Sequence, residues 1–477
     1  MILEKEQINR YLRHIIMPEI SGPGQKKLLD SSIVIQSESA EDSAPLLYYL
    51  AAAGIGHINL VVQDEQGYEM LFANLRDLNM DTNITLGLML PDMQPDNGLI
   101  KIILGSEAYV ANSLINTVDT YMPMIIAIDR GWEGYIQVLK QRGPMETVMS
   151  ALQTAVQQRE MQPKDEDKMG RVFSTCLLGA LTTIESIKLI LNIGTSAEIP
   201  FDFDLLSMSF NDHEKNDPAN TNFFAPKAHN YSKPASPKRL ADFKALVVGT
   251  GGLGSPAAYA LVKAGIGTIG LVDYDTVDIS NLNRQILHST SRMGLPKVDS
   301  AETFLHKLNS EVNIIKHQTN FNAHNALEII SAYDVILDGV DNFPTRYLLN
   351  DACFLMKKPM IEAGVTGFDG IGLTIIPGMS MCYRCIFPTI PAPGAIPSCS
   401  ESGVLGPVPG VMGFIEACEA AKLLTAQGTL LTNNLLAFDA LDLNFEVLQL
   451  EKNPACALCG TNPTIRELQD YKFVCET

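Results

Sequence analysis

The sequence predicts an α/β chain built from two tandem doubly wound domains, each a largely parallel sheet wound by helices. Three observations predict it. First, the chain repeats itself: LAAAGIGHINLVVQD, from Leu50 to Asp64, answers LVKAGIGTIGLVDYD, from Leu261 to Asp275, at an offset of 211 residues. Pro45 and Pro256, and Tyr48 and Tyr259, share that offset. With gaps, PMIIAIDRGWEG from Pro123 answers PMIEAGVTGFDG from Pro359. Gly179, Glu185 and Lys188 then answer Gly413, Glu419 and Lys422, and Phe203-Asp204 answers Phe438-Asp439. Blocks kept in one order along the chain mark a duplicated domain. Second, each copy alternates short β-branched runs with longer helical patterns. In the second copy ALVV (Ala245 to Val248) leads through a Gly-rich turn to a helix from about Ser255, then to a strand ending at Asp273, the order of a parallel sheet. Third, Asn211 to Lys238 is polar and Pro-rich without periodicity, as a linker is. The domains are therefore expected at 1–210 and 239–477, joined by a linker at 211–238.

Composition narrows the function classes. A chain of 477 residues with 46% hydrophobic and 19% charged residues has ample core for two large domains and is not disordered. Lys plus Arg number 35 against 54 Asp plus Glu, a net charge of -19, so no nucleic-acid partner is expected: there is no positive field to displace counterions. No apolar run reaches the roughly 18 residues of a membrane span, so no membrane role is expected either. MILEKEQINRYLR puts charges where a signal peptide is apolar, which predicts no export signal and a cytoplasmic protein. Of the nine cysteines only Cys176 lies in the first half; such crowding suits metal and thiol chemistry better than a disulfide framework. Gln157 to Lys168, rich in charge, is expected on the surface as a helix or loop.

The second copy carries the chemistry. GTGGLGSP places Gly249, Gly251 and Gly254 in G-x-G-x-x-G spacing, with Gly252 between, at a strand-to-helix turn. Glycines there let the backbone turn tightly and approach a phosphate, which the helix N-terminus stabilises, as in Rossmann-like domains. Asp273, at the end of the next strand, suits ribose hydroxyls. To that point a dinucleotide dehydrogenase fits as well as an ATP enzyme. Asn281, Arg284 and Lys297 then concentrate phosphate-directed groups that hydride transfer does not need. DVILDGVDNFPTR ends a further strand at Asp341-Asn342, where a carboxylate is placed to hold Mg²⁺ against a triphosphate. The register sets Glu38, Ser39, Ala40, Glu41, Asp42 and Ser43 of the first copy opposite GTGGLG, and Val62 opposite Asp273. Three carboxylates and no glycine repel a phosphate, so the first copy is expected to be degenerate and not to bind ATP.

Two C-x-x-C knuckles, Cys382 with Cys385 and Cys456 with Cys459, together offer four thiolates to one tetrahedral Zn²⁺ with no open position, a structural site. Cys399 stands apart among Gly and Pro in PSCSESGVLGPVPGVMG. This pattern predicts a mobile loop with a candidate nucleophilic thiol and a helix from near Val411. Cys176, Cys353 and Cys418 lie in apolar helical patterns and read as core.

GTGGLGSP, DYD, SNLNRQ, GLPK, DNFPTR, CYRC and CALCG, in this order, resemble the MoeB, ThiF and HesA adenylyltransferases, relatives of the ubiquitin-activating enzymes, over essentially all of residues 240–477. The resemblance implies that Asp273, with Asp275 of the same DYD motif, and Asn281 serve the nucleoside. It assigns Arg284 and Lys297 to the phosphates, Asp341 to the Mg²⁺ region and the four knuckle cysteines to a zinc staple of the C-terminal segment. Cys399 falls at the crossover-loop cysteine, which some members use for a thioester or persulfide. The implied reaction uses ATP to activate a C-terminal carboxylate as an acyl-adenylate. The implied partner is a small ubiquitin-like sulfur carrier or, as in microcin C maturation, a ribosomally made peptide. A non-catalytic docking module is the rival class, and the intact Gly loop argues against it. RYLRHIIMPEISGPGQKKL, from Arg10 to Leu28, is similar to the family's opening segment, whose arginine reaches the partner's ATP in a dimer. Arg13 matches that arginine, and the second copy has no such segment. The resemblance therefore implies an intramolecular pseudo-dimer in which Arg13 completes the second copy's site.

Overall fold

In the computed structural model the described residues are 3–87, 99–115, 122–140, 167–212, 238–392 and 399–471. Most of the expected linker and of the charged Gln157 to Lys168 stretch lie outside them. The chain divides into two compact units. One comprises Met1–Tyr11, Pro18–Ser232 and Ala440–Asn444; the other comprises Leu12–Met17, Lys233–Asp439 and Phe445–Thr477. Arg13 thus clusters with the second unit, although it lies far upstream in sequence.

The first unit holds β1 (Ser32–Ser39), β2 (His57–Asp64), β3 (Asn83–Leu86), β4 (Leu99–Ser106), β5 (Met124–Arg130), β6 (Glu133–Leu139), β7 (Phe201–Asp204) and β8 (Ser209–Asp212) in the order β3-β2-β1-β4-β5-β6-β7-β8. Pairing is parallel from β3 through β5 and antiparallel from β5 to β8. The other sheet repeats this order strand for strand: β9 (Lys244–Val248), β10 (Thr268–Val272), β11 (Asn313–His317), β12 (Val335–Asp338), β13 (Met360–Thr366), β14 (Asp369–Ile375), β15 (Asn434–Asp439) and β16 (Asn444–Gln449), arranged β11-β10-β9-β12-β13-β14-β15-β16. The repeated sequence therefore encodes a repeated topology, two mixed α/β sheets of the Rossmann-like kind. In each sheet the winding reverses between its first and fourth strands, and ligands of such folds bind at that switch point.

The shared residues outside the glycine-rich turn keep the copies alike. A Cβ on Gly413, in the helix Pro407–Thr425, would lie 2.4 Å from the Leu253 carbonyl oxygen; one on Gly179, in the helix Lys168–Leu191, would lie 2.6 Å from the Leu46 nitrogen. Each glycine lets its central helix touch the helix that follows the first strand. Glu185 and Lys188 form a fully buried ion pair at 2.6 Å, as do Glu419 and Lys422. Each glutamate also accepts from a downstream backbone N–H, of Ala197 at 2.9 Å or Leu431 at 2.7 Å. Lys168–Leu191 is long and apolar enough by length and composition alone to cross a membrane, but 89% of its apolar window is buried inside the protein, where it serves as a core helix.

The copies part at the first turn. In the second unit five residues separate the end of β9 at Val248 from the helix Gly254–Lys263, whereas in the first β1 ends at Ser39 and the helix Ala40–Ala53 begins at once. Ser39 caps that helix by accepting from the Asp42 N–H at 3.1 Å. Arg171 pairs there with Asp42 at 2.8 Å and with Asp129 at 3.1 Å. The place of a phosphate loop is taken by a capped helix and its own ion pairs.

Candidate functional site

In the second unit β9 runs into the glycine turn because each glycine meets a different constraint. Gly249 has φ +91, and a Cβ there would lie 2.6 Å from the Gly339 carbonyl oxygen. Its turn away from β9 passes against the chain leaving β12, which only glycine permits. Gly254 begins the helix so close to the turn that a Cβ would lie 1.8 Å from the Gly249 carbonyl oxygen. It packs helix on strand and does not line the cleft. Gly251 and Gly252 do line it.

That cleft, of about 870 Å³, opens over the C-terminal ends of the parallel strands at the switch point. Val248 and the glycine turn come from β9, Asp273 to Asp275 from β10, Thr319 to Phe321 from the segment after β11, and Gly339 to Asn342 from that after β12. Arg284 and Lys297 complete the wall. Eight of the sequence-predicted residues, Gly249, Gly251, Gly252, Asp273, Asp275, Arg284, Lys297 and Asp341, are brought together from five segments of chain.

Their contacts assign work to each. One carboxylate oxygen of Asp273 accepts from the Thr250 N–H at 2.8 Å and its hydroxyl at 2.9 Å; the other accepts from the Asp275 N–H at 2.9 Å. Asp273 therefore pins the glycine turn to β10 and to the residue that follows it. Lys297 is 8% exposed and pairs with Asp275 at 2.9 Å. Arg284 donates through Nη1 to the Ser280 carbonyl and to Asn283 Oδ1, both at 2.8 Å. The phenol of Tyr274 is pushed up by Asp275 foremost, with burial, Asp341 and Asp273 adding to it. Asp275 is paired with Lys297 and Asp273 holds the turn, so the exposed carboxylate of Asp341 is the hard-oxygen donor of the cleft best placed for Mg²⁺.

Other predicted residues stand elsewhere. The Oδ1 of Asn281 accepts from the Asp278 N–H at 3.1 Å, closing a turn, and Asn281 is not on the cleft wall. The carbonyl of Arg13 accepts from the Val404 N–H at 3.2 Å, and its charge helps hold the Asp278 carboxyl below the usual range, after the larger effects of hydrogen bonds from Ser280. Arg13 therefore faces the segment that precedes Arg284, without lining the cleft. Next to it, buried His14 accepts through Nε2 from the Gly406 N–H at 3.0 Å. Cys399 begins a short helix, Cys399–Ser402, where a loop was expected, and its side chain lies outside the described residues. The following helix begins at Pro407, ahead of the expected Val411, since proline suits the first turn of a helix.

The knuckles meet as expected. The sulfurs of Cys382, Cys385, Cys456 and Cys459 all lie within 4.8 Å of one another, with Cys382 to Cys456 at 3.6 Å and Cys385 to Cys459 at 3.3 Å. Zn–S bonds of about 2.3 Å in a tetrahedron set the sulfurs about 3.8 Å apart, so the cluster fits zinc. Arg384, between the first pair, makes a bidentate contact to buried Asp351 at 2.7 and 2.8 Å and stacks on Tyr347 and Tyr471. Cys176, Cys353 and Cys418 are buried core residues.

Sequence reasoning missed two features. One is a second groove, of about 1220 Å³, lined by Phe343, Tyr347, Ile371, Tyr383, Phe387 and Pro391 among others, which shares Leu253, Val340, Asp341, Asn342 and Val365 with the first cleft. The other is the hub beneath it. Arg346 is buried and reaches Asp338 and Glu362, each at 3.1 Å, and donates to the carbonyls of Val340 at 3.0 Å and Ala363 at 2.8 Å. Burial pushes the Glu362 carboxyl up to about 7 and that of nearby Glu416 well above its usual value. The signal available was an arginine in DNFPTR with a glutamate in the apolar run MIEAGV.

Fold and site together define an α/β domain with a glycine-lined cleft at the switch point of its sheet that meets a second, apolar groove at Asp341. The sequence model of the ThiF family matches residues 228–458. A sulfur carrier protein adenylyltransferase of Thermus thermophilus is 44% identical over 247 residues, 51% of this chain and 91% of that protein. An adenylyltransferase and sulfurtransferase MOCS3-1 of Drosophila pseudoobscura pseudoobscura is 45% identical over 238 residues, 50% of this chain and 53% of that protein. For MOCS3 of Anopheles gambiae the identity is 42% over 238 residues, again 50% of this chain and 54% of that protein. The chain belongs to the ThiF family, and it spans about half the length of the MOCS3 relatives it matches.

Proposed function

We propose that the second unit uses ATP to adenylate the C-terminal carboxylate of a ubiquitin-like sulfur carrier. The observation that carries the proposal is the junction of the two cavities at Asp341. A nucleotide in the glycine-lined cleft and an extended tail in the apolar groove would meet there. A carboxylate oxygen of the tail attacks the α-phosphorus, the bond to the β-phosphate oxygen breaks, and pyrophosphate leaves an acyl-adenylate. Arg284 and Lys297 neutralise charge on the phosphates, the glycine turn gives backbone donors, and Asp273 orients the ribose; positioning and charge account for most of the rate. Mg²⁺ held at Asp341 would offset charge on the leaving pyrophosphate. Zinc in the four-cysteine cluster would be structural.

Arg13, which does not line the cleft, is proposed as a further phosphate-directed cation on the likeness of its segment to the family's opening segment. The intramolecular pseudo-dimer, the domain limits 1–210 and 239–477, a cytoplasmic location and a thioester or persulfide step at Cys399 belong to the same proposal. The names of the relatives favour a sulfur carrier over a ribosomal peptide. The test is ATP–pyrophosphate exchange with purified sulfur carriers ending in Gly-Gly. Exchange that needs the carrier's free C-terminus is expected; exchange indifferent to it overturns the assignment. Cys399→Ala is expected to spare exchange, and its loss would tie the thiol to adenylation itself.

A further inference from the structure

Beneath the glycine turn lies a ring of contacts closed by His288, a residue that none of the roles above uses. Thr250, wholly buried, is held from one side by Asp273, which accepts its N–H and its hydroxyl. From the other side His288, 1% exposed, contacts the Thr250 carbonyl oxygen through Nε2 at 3.0 Å. The same imidazole contacts the buried Ser300 hydroxyl through Nδ1 at 3.0 Å. Ser300 lies in the helix Lys297–Leu308, whose first residue pairs with Asp275, and the Asp275 N–H returns to Asp273. Glycine turn, ribose acid and lysine helix are thereby one unit, and His288 is the link that closes it.

The chemistry of the partners fixes the state of the ring. A carbonyl oxygen only accepts, so Nε2 carries the hydrogen and Nδ1 accepts from the Ser300 hydroxyl. Burial foremost, then the charges of Lys297 and Arg292, push the imidazole down to about 3, partly opposed by its bond to Thr250. His288 is neutral across the physiological range and cannot serve as a proton carrier there.

Peptide geometry supplies the consequence. In a planar trans peptide the C=O of one residue and the N–H of the next point in opposite directions. The Thr250 carbonyl is drawn inward by His288 and also accepts from the Ser255 hydroxyl at 3.0 Å. The N–H of Gly251 must therefore point away from His288, on the side where Gly251 lines the cleft. Among the described residues no group accepts from that N–H. We propose that His288 is a positioning residue for the nucleotide: by holding the Thr250 carbonyl inward, it presents the Gly251 N–H to a phosphate. This role rests on the assignment of the cleft to ATP.

Steady-state exchange by the full chain tests it. His288→Leu fills the same space without a donor. It is expected to raise KM for Mg-ATP about tenfold, the loss for one backbone donor turned away from a phosphate, with kcat within threefold of wild type. His288→Gln, which returns an N–H near the Nε2 position, is expected to recover most of that loss. A merely structural histidine would lower the melting temperature and the active fraction and leave KM alone. KM within twofold of wild type for a folded His288→Leu, or a Gln variant no better than Leu, overturns the proposal. Should the leucine variant fail to fold, the wild-type protein decides: ¹⁵N spectra of its histidines at pH 5.5 are expected to contain a neutral, Nε2-protonated imidazole at His288. A neutral imidazole protonated at Nδ1, which leaves Nε2 without a hydrogen for the Thr250 carbonyl, overturns the role. Failure of the wild-type chain to bind Mg-ATP would instead remove the ATP reading beneath it.

Discussion

Asp341→Ala separates chemistry from folding more cleanly than any other change in the cleft. Asp341 is exposed, lies between the end of β12 and the helix Phe343–Met356, and lines both cavities. Exposed substitutions away from caps and ion pairs alter stability by no more than about 0.5 kcal/mol, so the melting temperature should hardly move. The neighbouring residue gives the contrast: Asn342 caps that helix by accepting from the Thr345 N–H at 3.0 Å. Asn342→Ala should cost about 1 kcal/mol, a fall of roughly 2–4 °C for a unit of this size. Removing the Asp341 carboxylate takes a fixed charge from the point where pyrophosphate leaves. Losses of that kind are about 10² to 10³ in kcat, or about 2.7–4 kcal/mol. The assay is carrier-dependent ATP–pyrophosphate exchange beside differential scanning fluorimetry on both variants. Exchange within threefold of wild type for Asp341→Ala, at an unchanged melting temperature, would refute the assignment of the cavity junction as the reaction centre.

Three further outcomes are expected. Chelating zinc should lower the melting temperature of the second unit before ATP affinity, read by titration calorimetry, is lost; parallel loss of both would contradict a structural ion. Arg13→Ala should slow exchange by roughly 10²-fold, whereas Arg10→Ala, whose guanidinium donates to the Leu78 carbonyl at 2.7 Å, should not slow it per folded molecule. Mixing Arg13→Ala with Asp341→Ala chains should restore nothing, and recovery would mean that arms are exchanged between chains. Glu362, pushed up to about 7 by burial, holds its proton in the native state between about pH 4.5 and 7 where the unfolded chain has released it. Stability from this group therefore falls as pH rises through that window, and Glu362→Gln should flatten the decline in urea titrations at pH 5 and 7.5; an unchanged slope would exclude Glu362 as its source.

The parts of the site legible in the sequence are those where one backbone or one charge has a local reason to exist. Gly249 must turn at positive φ, two residues separate the cysteines within each knuckle, and Asp273 and Asp341 follow the ends of strands; each leaves a mark within a few residues of itself. The groove leaves none, because its aromatic residues come from the helix Phe343–Met356 and from the segment Tyr383 to Phe387, and each reads alone as core. His288 is equally silent. A histidine after an apolar pair, ILH, shows its purpose only when the fold brings Thr250 and Ser300 to its two nitrogens.

The duplication shows which of these features the fold itself requires. Both copies keep the buried pairs Glu185–Lys188 and Glu419–Lys422, because removing one partner leaves an uncompensated buried charge at a cost of about 3–5 kcal/mol. Both keep Gly179 or Gly413 where helices touch. The glycine turn met no such demand. In the first copy β1 runs straight into a helix capped by Ser39, and Arg171 pairs with the carboxylates there. A sheet of the same strand order therefore forms with no phosphate loop, so the loop in the second copy is not explained by folding. Gly251 and Gly252 face a cleft, Asp273 spends three of its acceptor positions on holding the turn and its neighbour, and His288 is buried beneath it. The first copy forms its sheet without any of them, so their presence in the second is an argument for a ligand there that stands on the structure of this one chain.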